Sequence, residues 1–174
     1  PDNWVWEKAY NLPLDEMIAI IDNAIMNGYT VAWGSDVSEK GFNRRGLGLV
    51  PDYDQLIAKQ HEVGSDQARW VGSAPSSRPE EIAFVAPCPE LDITVEMRQA
   101  GYDNYTTTDD HGMQIFGIAK DQNGKKYYMV KNSWGITGDY DGIWYVSEAF
   151  VRYKTMDIMV NRNAIPAEIS AKIN

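Results

Sequence analysis

The sequence predicts an α+β fold: a helix and a strand first, an irregular stretch next, and an antiparallel set of strands last. Three observations carry this. Between Leu14 and Ile25 apolar residues recur at helical spacing. From Met113 onward the pattern becomes that of β-strands, with turn residues between runs. Between them, from Ser35 to about Pro89, glycines and prolines loosen any periodicity.

Leu12-Pro13-Leu14-Asp15-Glu16 opens the helix. Proline sits near its first turn and the acids complement the helix dipole. Met17, Ile18, Ile21, Ala24 and Ile25 mark its apolar face, and Asn27-Gly28 ends it. Tyr29 to Gly34 reads as a buried strand. Residues from about 38 to 89 read as an irregular insert within a single unit, residues 1–174. Pro51-Asp52-Tyr53-Asp54-Gln55-Leu56-Ile57 starts a short helix there, and Ser73 to Pro79 is loop. Glu90 to Ala100 reads as a second helix, apolar at Leu91, Val95 and Met97 and stopped by Gly101. Asp103 to Asp110 is a polar connection. Met113–Lys120 and Lys126–Lys131 read as strands joined at Asp121-Gln122-Asn123-Gly124, a turn with the Asn-Gly pair favoured in hairpins. Gly142–Ser147 is a third strand. Thr155–Asn161 is a fourth, alternating at Met156, Ile158 and Val160.

Composition narrows the function. The 174 residues, 44% hydrophobic, suffice for one domain with a real core. A net charge of −9 disfavours a phosphate-binding surface, so no nucleic-acid partner is expected. No apolar run approaches the roughly 20 residues of a membrane span. Phosphate-loop glycines are absent, so nucleotide use is unsupported. Pro1-Asp2-Asn3-Trp4 does not read as a signal peptide, and any targeting segment is expected before Pro1. The single cysteine, Cys88, excludes an internal disulfide.

Two tracts carry chemistry: Asp110-His111-Gly112-Met113, and Val130-Lys131-Asn132-Ser133-Trp134-Gly135. A hairpin with a short turn brings His111 and Asn132 to the same end of neighbouring strands. The Asn132 oxygen can then hold one ring nitrogen of His111 and leave the other to face a thiol. Asparagine suits a cysteine nucleophile, because the thiolate–imidazolium pair forms without a buried carboxylate. Trp134 can cover that bond. Spacing alone leaves the opposite reading open and favours it: a turn histidine before glycine, and Asn-Ser-Trp-Gly as an ordinary strand-to-turn corner.

These tracts resemble the papain superfamily of cysteine peptidases. Gly138-Asp139-Tyr140-Asp141-Gly142-Ile143-Trp144-Tyr145 resembles its glycine-rich loop and the strand after it. More narrowly, Tyr29 to Val37, and Glu148-Ala149-Phe150-Val151 running into Met156 to Asn161, resemble the bleomycin hydrolase or aminopeptidase C branch. The resemblance spans most of the chain and is weakest between about Asn43 and Pro89. It implies the C-terminal portion of a papain-like fold, an antiparallel sheet or barrel with flanking helices. It also implies that the intact protein is a cysteine peptidase, an aminopeptidase acting through a thioester, with His111 and Asn132 catalytic and Trp134 supporting. The expected partners are a peptide substrate, an N-terminal Cys-bearing segment of the same protein, and further copies in a homo-oligomer. No cofactor is implied, and the family favours the cytoplasm.

The family order is Gln, Cys, His, Asn, and the first two have no match in this chain. Cys88 lies between Pro87 and Pro89, not at a helix start, and reads as a structural or exposed thiol. The nucleophile is therefore expected upstream of Pro1. Two other readings compete: a papain-like scaffold without catalysis, and an enzyme using Cys88. Members of the family often use a C-terminal arm to anchor the substrate's amino group; the short tail from Ala167 to Asn174 speaks against that role for Asn174. Asp109-Asp110-His111 lacks a second His for a metal site, and Asp139 to Gly142 reads as a turn, not a calcium loop. His61 reads as surface, Asn104-Tyr105-Thr106 as a chance glycosylation sequon, and the six tryptophans mostly as core or cleft wall.

Overall fold

In the computed structural model, residues 8–58 and 88–173 are described. The expectations for His61 and for the loop from Ser73 to Pro79 fall outside them. Helix α1 (Leu14–Met26) forms where the apolar spacing placed it, with Asp15 and Glu16 in its first turn. Gly28, at φ +78°, lets the chain turn out of it. Strand β1 (Val31–Ser35) follows, then two-residue strands β2 (Phe42–Asn43) and β3 (Leu47–Gly48). Residues 53–58 are helical. The second half holds α2 (Val95–Asp103), β4 (His111–Lys120), β5 (Lys126–Lys131), β6 (Ile143–Ser147), α3 (Glu148–Lys154) and β7 (Thr155–Met159). A 3₁₀ turn (Arg162–Ala164) and α4 (Ala167–Ile173) complete it.

The strands form one seven-stranded sheet in the order β2-β3-β6-β5-β4-β1-β7. Strands β4, β5 and β6 make the expected antiparallel meander. Two features depart from it. Strand β7 does not extend the meander; it crosses to the other edge and pairs with β1. Strand β3 runs parallel to β6, so the sheet is mixed.

The core lies on one face. Val31, Ile115, Val130 and Trp144 stand opposite one another across four strands, all with no exposed surface. Residues directly opposite project to the same side, so this row packs as a unit. Ile18, Ile21 and Ala24 of α1 cover it, joined by Phe42, Phe150 and Val151. Phe42 stacks on Trp144 with ring centres 5.8 Å apart. Asp22 of α1 accepts from the Tyr128 hydroxyl at 2.7 Å and pairs with Lys126 at 2.6 Å, tying the helix to β5.

Four expectations are corrected. The first strand is not buried throughout: Ala32 faces solvent while Val31, Trp33 and Ser35 face inward. The insert is not wholly irregular, since it supplies β2 and β3. A two-residue strand leaves no periodicity to read; long-range bonds from Trp144 Nε1 to Asn43 O (2.9 Å) and from Tyr145 N to Gly46 O (2.8 Å) place these strands. The second helix starts at Val95, where Thr94 caps the Met97 amide at 3.2 Å, and runs past Gly101. Gly101 is needed for packing, because a Cβ there would lie 2.9 Å from Thr107 Oγ1. Glu90 is not helical; its carboxylate accepts from Val50 N and Ser147 Oγ, each at 2.6 Å. The Asn-Gly turn is built differently too. Only Gly124 of that pair takes a positive φ, and the Asp121 carboxylate holds the Asn123 and Lys125 amides at 2.8 and 2.9 Å. Helices α3 and α4, of seven residues each, are additions too short to announce themselves.

No described helix is long and apolar enough to cross a membrane. Ile115→Ala is expected to lower the unfolding free energy by about 2–5 kcal/mol. Ile136→Ala, at a side chain 83% exposed, should stay within about 0.5 kcal/mol of the parent. Denaturant midpoints of the two variants check the placement of the core.

Candidate active site

His111 is the first residue of β4, opposite Ser35 of β1. Asn132 follows directly on β5 and is 2% exposed. Both stand on the core-facing side, continuing the alternation of Met113 and Ile115 in β4 and of Tyr128 and Val130 in β5. The inward row thus ends in polar groups at one end of the sheet. There His111 Nε2 lies 2.8 Å from Asn132 Oδ1.

The amide orientation is set by chemistry. The Ser133 backbone N–H, which can only donate, meets the same Oδ1 at 2.7 Å. The oxygen therefore faces both groups, and His111 Nε2 must carry its proton. In the neutral ring the lone pair is left on Nδ1. No described residue bonds to Nδ1. The Trp134 ring lies 5.0 Å from the imidazole, tilted by 39°. It is held edge-on against Trp144 (5.5 Å) and Phe42 (6.1 Å). Trp134 remains 45% exposed, one side in the core and one side over the His111–Asn132 pair.

The glycine-rich loop explains the position of Asn132. Its backbone N–H donates to Gly142 O at 3.3 Å, and Gly142 N donates to Thr137 O at 2.7 Å. Gly142 takes φ +81°, and a Cβ there would meet Gly135 O at 2.1 Å. Only glycine fits. Asp139 pairs with Arg45 at 2.8 Å and its N–H donates to Arg45 O at 2.8 Å, so the stretch from Asp139 to Gly142 is a turn fastened to the β2–β3 hairpin.

An open groove at the start of β4 is lined by Ala32, Gly34, Gly112, Asp109, Asp157 and Met159; its strand residues stand on the face of the sheet opposite the one the His111 side chain takes. Gly34 keeps it open, since a Cβ there would fall 2.7 Å from Asp157 Oδ1. Partial burial, with the charges of Asp157 and Asp110 adding to it, holds the Asp109 carboxyl above the usual carboxylate range. Among the described residues no group of three or more His, Cys, Asp or Glu is arranged to hold a metal ion.

Residues 87–174, just over half of the chain, match the model of the Peptidase C1-like family. The chain belongs to the Peptidase C1-like family. The crystal structure of PepW from Lactobacillus rhamnosis superposes with a TM-score of 0.59 at 19% identity, over 94% of this chain and 30% of that one. That likeness is one of fold, and this chain spans less than a third of the length of PepW. The bromelain protease from Ananas comosus aligns over 84% of this chain and 45% of its own, at 15% identity and a TM-score of 0.39. No curated protein matches the chain. The α+β class expected from sequence is the one observed.

The structure brings the three expected site residues of this Peptidase C1-like chain together. It adds Ser133, which orients Asn132, and Phe42, which supports Trp134. Ser133 lies inside the tract already read. Phe42 has no signal in sequence, because its partner Trp144 is distant along the chain. Asn104 is exposed, and its side-chain oxygen accepts from Thr106 N (2.9 Å) and Thr106 Oγ1 (2.7 Å), a local turn.

Cys88 stands elsewhere. Lys125 donates to its carbonyl at 3.1 Å, and Lys125 precedes the end of β5 opposite Asn132, roughly 20 Å away at about 3.4 Å per residue. Burial and then Glu90 push the Cys88 thiol up to about 11, against a smaller opposing effect of Lys125. It stays protonated at neutral pH, the opposite of an activated nucleophile. Alkylation of Cys88 by iodoacetamide near neutral pH should run about a hundredfold slower than that of an ordinary thiol, and should keep accelerating with pH toward about 11. A rate that levels off below about pH 8 contradicts this assignment.

Proposed function

We propose that this chain is the His- and Asn-bearing portion of a cysteine aminopeptidase, with the nucleophilic cysteine on a segment upstream of Pro1. The observation that supports it most is the His111 Nε2 to Asn132 Oδ1 bond of 2.8 Å, with the amide fixed by Ser133. This arrangement leaves Nδ1 as the base.

In this reading Nδ1 of His111 takes the thiol proton, and the thiolate attacks the substrate carbonyl carbon. The resulting imidazolium gives its proton to the leaving amine as the C–N bond breaks, leaving a thioester. Nδ1 then takes a proton from water, whose oxygen attacks the thioester carbon. The acid leaves and sulfur departs as thiolate, restoring the ion pair. Asn132 keeps one ring angle and one tautomer through these steps, and Trp134 keeps water from competing for its oxygen. The exopeptidase part of the reading draws on the resemblance to the bleomycin hydrolase and aminopeptidase C branch. Peptide is the expected substrate, and homo-oligomeric assembly is part of the same reading.

The intact protein, with its upstream segment, should hydrolyse an aminoacyl fluorogenic amide. His111→Ala should lower kcat by about 10³-fold or more, and Asn132→Ala by about 10²-fold through loss of ring alignment. The 174-residue chain by itself should turn over nothing. Turnover by this chain that His111→Ala abolishes would overturn the placement of the nucleophile.

A further inference from the structure

Lys154 is the last residue of α3 and is 3% exposed. An ammonium taken out of water is costly unless each of its protons is bonded. Here three acceptors meet three protons: Thr107 Oγ1 at 2.8 Å, Thr106 O at 3.2 Å, and the Glu39 carboxylate. The Lys154 carbonyl is used as well, accepting from Ser35 Oγ at 2.9 Å and from Asp36 N at 3.1 Å. One residue thus joins the end of β1 and the loop after it, the connection that leads into β4, and the junction of α3 with β7.

The connection has little else to hold it. Of residues 104–110 only Thr107 is buried. Thr107 N donates back to Gly101 O of α2 at 2.9 Å, and two ties run to the loop after β1: Thr108 N donates to the buried Asp36 carboxylate at 2.9 Å, and Val37 N donates to Asp110 Oδ1 at 2.9 Å. His111 follows directly, opposite Ser35. Apolar packing therefore does not decide where β4 begins; this polar lacing does.

We propose that Lys154 is a positioning residue for His111. Its ammonium locks residues 106 and 107 to Glu39, which sets the first residue of β4 and so seats the imidazole on Asn132. A buried charge is a poor way to add stability, since apolar residues of similar volume often do as well or better. Its value here is in geometry. The inference concerns the His111–Asn132 bond itself and does not depend on the cleavage reaction.

The test is nitrogen-15 NMR of the imidazole rings in the full chain. Its two histidines are told apart with His111→Gln. The parent should show one His111 tautomer, with a slowly exchanging proton on Nε2. Lys154→Met keeps the volume and removes the charge. With the fold cooperative and its stability little changed, this variant should show Nε2–H exchange faster by about tenfold, as expected for loss of one charge-assisted bond. Thr107→Val, which removes a single acceptor, should shift exchange in the same direction by less. Folded Lys154→Met with an unchanged ring spectrum and exchange rate overturns the proposal. Should Lys154→Met fail to fold, Thr107→Val decides: faster exchange supports the role and unchanged exchange refutes it. Loss of stability in step with faster exchange at every amide would make Lys154 structural only, and would also refute it. A peptidase assay that fails would leave this result standing, so the two readings fail separately.

Discussion

The alternation of β4 and β5 governs the site. Met113 and Ile115 on one strand, and Tyr128 and Val130 on its neighbour, must face the core, since all four are buried. A strand has a side-chain period of two, so a slip of one residue would turn every one of them to the wrong face. Packing therefore sets the facing of both strands without reference to chemistry. Carried to the end of the sheet, the same period turns His111 and Asn132 inward, onto each other. The hydrophobic core thus sets which way both residues face, and the polar ties at the start of β4 then seat the ring on the amide.

Sealing that end of the core is the difficult part. Buried polar groups there call for partners, and all but the Asn132 Nδ2 amide among those named here find one among the described residues. The Asn132 oxygen takes two donors, the Lys154 ammonium three acceptors, and the Asp36 carboxylate accepts from Ser38 N, Ser38 Oγ and Thr108 N. Trp134 closes the mouth, propped by Phe42 and Trp144. The other end of the sheet is built by related means for a different purpose. There the buried Glu90 side chain joins Val50, Ser147 and Lys125 and fastens the chain after the insert to the sheet. Both ends carry buried charge; only one leaves a ring nitrogen lone pair without a bond among the described residues.

Reading by period succeeded where elements were long or amphipathic. Helix α1, with Ile18, Ile21 and Ala24 on one face, and strands β4 and β5 were legible because burial of one face leaves a repeat in the residues. Strand β5 was bounded to the residue. Glu90 to Ala100 misled because Leu91, Val95 and Met97 mimic a helical stripe, whereas Thr94 marks the true start by capping. Strands β2 and β3 hold two residues each, below the length at which any period exists. Their pairing follows from Trp144 and Tyr145, about a hundred residues away, and long-range pairing overrides local preference.

From the sequence alone came the residue types, the hairpin joining the two tracts, and the resemblance that singled out His111, Asn132 and Trp134. A hairpin is local, so a period-two pattern and a turn suffice to bring its ends together. What only the tertiary structure decided was the atomic arrangement: which nitrogen of His111 bears the proton, which way the Asn132 amide points, and why Lys154 is buried. Each of these depends on a donor or acceptor from another segment, Ser133 N–H excepted. A hydrogen bond is satisfied by distance and direction in space, and linear order does not encode those until the core has closed.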